Sequence, residues 1–121
     1  MNKELETLRK EYEGAPDSFI FRLRGEFVWD GELFSELIRA MKMVCQETES
    51  RQSIEKWIAS VYWHMASFVE GHTTHPEFPR PYSPAYYRKA FTLIEELCSW
   101  LFNGYCPVPD PEKHFVIEKI E

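Results

Sequence analysis

The stretch from Ala85 to Asn103 constrains the fold more than any other, because it runs without glycine or proline between two strong boundary signals. Ser83 and Pro84 precede it as a helix cap and a first helical residue, and Gly104 follows as a residue suited to the left-handed end of a helix. Wound as a helix, its apolar residues, among them Tyr86, Ala90, Leu93, Leu97 and Trp100, fill an arc of roughly 200°. Arg88, Lys89, Glu95 and Glu96 fill the remainder. A helix apolar over more than half its circumference needs neighbours on two sides, so it is expected at the centre of a helical protein.

Two further segments supply neighbours. Asp30 opens a helix reaching to about Glu47, with Leu33, Phe34, Leu37, Ile38, Met41 and Val44 on one face. Trp29 and Phe34 stand where a hydrophobic staple would join them across the Asp30 cap. A third helix is predicted from Ser53 to Glu70, closed by Gly71 and buried through Ile54, Trp57, Ile58, Val61, Met65 and Val69. A shorter helix over Lys3 to Glu13 carries a narrow stripe of Leu5, Leu8 and Tyr12 and must dock on the others to persist. Residues 18–24 alternate, with Phe19, Phe21 and Leu23 facing one way as in a half-buried strand; their partner would be residues 114–117. The same residues also suit more helix. The expected architecture is therefore mainly α: a small single-domain bundle over residues 1–121, with three main helices, a short N-terminal one, and room for one two-stranded β pairing.

Charge and composition narrow the function. Fourteen Lys and Arg against twenty Asp and Glu leave a net charge of −6. Non-specific binding to nucleic acid or anionic lipid depends on a basic field, so neither a nucleic acid nor a membrane is expected as a partner. No run of eighteen apolar residues, no leader and no lipidation box appears, and the expected address is the cytoplasm, in a bacterial cell. Cys45, Cys98 and Cys106 form no paired motif and read as small buried hydrophobes. Catalytic signatures are missing too: there is no GxSxG elbow, and the glycines are scattered rather than gathered in a phosphate loop. No cofactor is expected, and the balance of motifs favours a non-enzyme. In size, acidity and aromatic content the chain is similar to immunity and accessory proteins that occlude a partner, a resemblance that transfers no residues.

One segment stands out. His72-Thr-Thr-His-Pro-Glu-Phe-Pro-Arg-Pro-Tyr-Ser-Pro84 holds half of the eight prolines, with Phe78, Arg80 and Tyr82 between them. Proline fixes φ and extends the residue before it, so this connection is expected to be stiff. Stiffness lowers the entropy lost on binding, and Tyr and Arg are favoured in binding hot spots. The functional expectation is a protein-interaction module, binding a partner or a second copy through Phe78, Arg80, Tyr82 and an outward Trp63. The plainer packing has Phe78 and Tyr82 folded back over Trp63, so that the loop closes the bundle on itself. The alternative function is metal binding or metal-dependent catalysis: His72 and His75 lie close in sequence to Glu70 and Glu77, with His64 two turns earlier, and imidazoles with a carboxylate suit zinc or iron. A small-ligand pocket between aromatic-rich helices is a third, less specific expectation.

Overall fold

The computed structural model describes residues 2–118, and every regular element among them is a helix. The elements are α1 (Lys3–Glu13), α2 (Phe19–Glu26), α3 (Gly31–Thr48), α4 (Lys56–Thr73), α5 (Pro84–Asn103) and the single turn α6 (Pro111–His114). α1 packs on α3 and α4, and α5 closes the circuit by packing on the same two helices; α2 lies across α1 and α3. Leu8 of α1, Leu37 and Met41 of α3, Tyr62 and Met65 of α4, and Ala90 and Leu97 of α5 meet inside this circuit. Burying one large apolar side chain is worth roughly 1.5–3 kcal/mol, and the buried residues form one continuous cluster, as a small single domain requires. Among the described residues no helix is long and apolar enough to cross a membrane.

The helix starts follow from their caps. The Asp30 carboxylate accepts the backbone N–H groups of Glu32 and Leu33 at 3.1 and 3.0 Å, and Ser83 accepts that of Tyr86 at 3.2 Å. Trp29 and Phe34 form the staple across Asp30, with ring centroids 4.9 Å apart. Trp29 is then locked further by donating its indole N–H to the Tyr86 hydroxyl at 2.9 Å. At the far end of α5, Gly104 takes the left-handed conformation at φ 81° and donates its N–H to the Trp100 carbonyl.

Two expectations are corrected. Residues 18–24 form no strand: all but Ser18 lie in α2, and among the described residues there is no strand for 114–117 to pair with. The physical reason is local. The Ser18 hydroxyl accepts the Phe21 N–H at 3.1 Å, and the Glu11 carboxylate accepts those of Phe19 and Ile20 at 2.7 and 2.9 Å. Three first-turn donors are thus satisfied by side chains, and the buried set becomes Phe19, Ile20 and Leu23, a helical spacing, with Phe21 left at the surface. The third long helix is also displaced, starting at Lys56 rather than Ser53 and running through Gly71 to Thr73. It has no side-chain cap hydrogen bond at its start. At its end the buried Thr73 hydroxyl donates to the Val69 carbonyl at 2.9 Å and carries the helix past the glycine.

The segment after α5 returns along the bundle. Glu112 bonds the largely buried Lys42 ammonium at 2.7 Å and the Gln46 amide at 3.0 Å, while Phe115 and Ile117 enter the core.

Candidate functional site

α2 ends on a residue that a helix end does not favour. Phe27 sits in the left-handed region at φ 54°, where a non-glycine residue costs roughly 1–2 kcal/mol. The residue is also 56% exposed. The chain is bent here by a bond from the Val28 N–H back to the Arg22 carbonyl at 3.1 Å. The Leu23 carbonyl receives instead the Nε2–H of His72 at 3.1 Å. A carbonyl only accepts, so this bond fixes which imidazole nitrogen carries the proton.

His72 in turn anchors a stack of rings. His64, Phe68 and His72 recur every fourth residue along α4, with centroids 5.2 and 4.8 Å apart and planes within 23° of parallel. Phe27 extends the stack beyond His72 at 5.7 Å. Phe78 then closes one side, meeting Phe27 at 87° and His72 at 70°. The stiff segment takes its shape from a turn at 75–78, in which the Phe78 N–H bonds the His75 carbonyl at 2.9 Å with Pro76 at the second position. The His75 ring supports the same turn by accepting the Glu77 N–H at Nδ1, 3.2 Å away.

These contacts create two hollows separated by the Phe27 ring. The larger, about 480 Å³, is walled by Phe27, Phe68, His72, Phe78 and the rim residues His75 and Glu77. The smaller, about 310 Å³, lies between Phe27, Trp29 and the Pro79–Pro81 stretch. Of the residues expected to bind, Phe78 is 7% exposed and serves as a wall. Arg80 is a brace: its Nε donates to the Thr73 carbonyl at 2.8 Å and its guanidinium lies 4.7 Å over the Tyr87 ring. Tyr82 packs on Tyr86 at 4.7 Å. Trp63 is 65% exposed and lines neither hollow. Phe27 is the residue that sequence reasoning misses. A helix end is sought at glycine, and the only hint was an unexplained Phe between Glu26 and the Trp29 staple.

Of the metal alternative, His72, His75 and Glu77 line the larger hollow, whereas His64 and Glu70 lie apart from it. His72 is engaged by Leu23 and His75 by its own turn, while Glu70 lies beside Phe91 and Glu95 of α5. Among the described residues no three His, Cys, Asp or Glu side chains gather to hold a metal ion. His64 opens onto a separate cleft of about 240 Å³ with Glu11 and Arg24. Its Nε2 is buried with no hydrogen-bond partner among the described residues, and burial together with the Arg24 charge lowers its pKa. In the same cleft burial pushes the Glu11 carboxyl up to about 7 against the pull of the two N–H groups it accepts. Burial pushes the Cys45 thiol up to about 12 and the Cys98 thiol up to about 11, which leaves these two poor nucleophiles. All three cysteines are free.

The chain is thus a mainly helical single domain that presents a strained aromatic ridge between two hollows. Comparison with family models, with curated proteins and with solved structures returns no match for it.

Proposed function

We propose that this protein is a non-enzymatic interaction module that seats an extended segment of a basic protein partner across Phe27. The observation that carries this reading is Phe27 itself. Its backbone is strained where a glycine would end α2 more cheaply, and more than half of the residue stays exposed even with its ring against His72 and Phe78. Strain of this kind gathers at binding sites. The ridge and its two hollows suit a segment that places one side chain on either side of the ring. Pro76, Pro79 and Pro81 stiffen the wall opposite, which keeps the ordering entropy of docking low. The net charge of −6 favours and accelerates encounter with a basic partner and disfavours a second copy of the chain.

The test places a photoreactive phenylalanine analogue at position 27 and, as a control, at the exposed Glu36 of α3. Irradiation in cells of the source organism is expected to give one discrete adduct at position 27, to a basic segment, and none at position 36. No adduct at 27, or equal labelling at both positions, overturns the reading.

A further inference from the structure

From the chemistry of the larger hollow, and resting on the docking reading above, we infer that it receives the ammonium group of a lysine side chain from the partner segment. Its walls are the rings of Phe27, Phe68, His72 and Phe78. Aromatic faces attract cations through their quadrupole, and walls that meet near a right angle, as Phe27 and Phe78 do at 87°, surround a compact charge better than a flat one. The only carboxylate at the rim is Glu77, which forms no ion pair among the described residues. The stack already accepts one cation elsewhere: the Arg24 guanidinium lies 5.4 Å over Phe68. No cation of the described residues lies over Phe27 or Phe78. The butyl stem of a lysine would run along the exposed Phe27 ring while its charge reaches Glu77, using both the apolar wall and the rim. An aliphatic guest would leave that carboxylate unused, and an acidic one would meet it as a like charge.

The experiment compares two small probes by amide chemical-shift titration, read at Gly71, which lines the hollow, and at Phe27. One probe is Nα-acetyl-lysine N-methylamide; the other is its norleucine counterpart, equal in stem but without charge. The lysine compound is expected to bind on the order of 5-fold more tightly, the range that cation–π contact and a rim carboxylate supply. Glu77→Gln should erase most of that preference and leave the norleucine compound unchanged, since Glu77 is exposed and its carboxylate forms no ion pair with the described residues. Equal affinity for the two probes overturns the lysine assignment while leaving the docking face standing. Shifts for neither probe at millimolar concentration overturn it as well. Crosslinking at position 27 with no lysine selectivity therefore separates failure of this inference from failure of the function proposed.

Discussion

Glu11 shows how one side chain acquires a role that its own helix does not reveal. In sequence it is another carboxylate on a short charged helix. In the fold its two oxygens accept the N–H groups of Phe19 and Ile20, across the gap between α1 and α2, and burial raises its pKa from 4.5 to about 7. A carboxyl whose folded pKa is raised holds its proton more firmly in the native state. Its contribution to stability is therefore complete below pH 4.5 and is lost as pH rises through about 7, a total of about 3 kcal/mol. His64 acts oppositely, because its lowered pKa makes the unfolded chain bind more protons below pH 6.5. Between pH 6.5 and 8 the unfolded His64 sheds its remaining proton, so its opposing slope fades while that of Glu11 persists as the larger of the two. Urea unfolding at pH 6.5 and pH 8 should show the protein losing roughly 0.5 kcal/mol over that interval. Glu11→Gln should flatten the difference, and a wild-type protein equally stable at both values would contradict the buried carboxylate. None of this was legible beforehand, since the partner N–H groups lie eight and nine residues further along the chain and are donors only because α2 begins there.

At the level of elements, legibility followed the caps. α3 and α5 were readable because Asp30 and Ser83 are strong N-caps and Gly104 is a strong terminator, so periodicity and boundary agreed. α2 is ambiguous in sequence between strand and helix because Phe19, Phe21 and Leu23 satisfy a two-residue repeat by coincidence, while the carboxylate that starts the helix comes from α1. α4 runs past the boundary that its sequence suggests at Gly71. Glycine permits the left-handed conformation without requiring it, and here Gly71 stays helical while Thr73 and the Arg80 bond to the Thr73 carbonyl hold the last turn. A Cβ at Gly71 would meet no atom within 4 Å. Gly71→Ala should therefore stabilise α4 by roughly 0.5–1 kcal/mol, through helix propensity and reduced freedom of the unfolded chain. A higher urea midpoint with an unchanged slope would show it; a lower midpoint would mean that the glycine is needed for a conformation other than the helix described.

Across the whole molecule, the candidate site depends on a relation that no single segment encodes. The C-terminal end of α2 meets that of α4 through His72 and Leu23, 49 positions apart, and only then does the proline-rich segment have a ring to enclose. The sequence marks residues 72–84 as proline-braced and aromatic, but the division of labour within the segment, with Phe78 as wall and Arg80 as brace, follows from that meeting. The other end of the molecule is closed on the same principle. The segment after α5 brings Phe115 beside Trp100, with centroids 5.8 Å apart, while Glu112 and His114 grip Lys42 and Glu96 at 2.7 Å each. Each of these polar contacts has a partner open to solvent and contributes modestly, whereas Phe115 and Ile117 are part of the core. If that is so, the segment unfolds with the domain rather than peeling away first. Phe115→Ala should then lower global stability by about 3 kcal/mol in one cooperative transition, with tryptophan fluorescence and far-ultraviolet dichroism falling together. Loss of the fluorescence change ahead of the dichroism change, or a cost below about 1 kcal/mol, would show instead that the circuit of α1, α3, α4 and α5 stands without its closing segment.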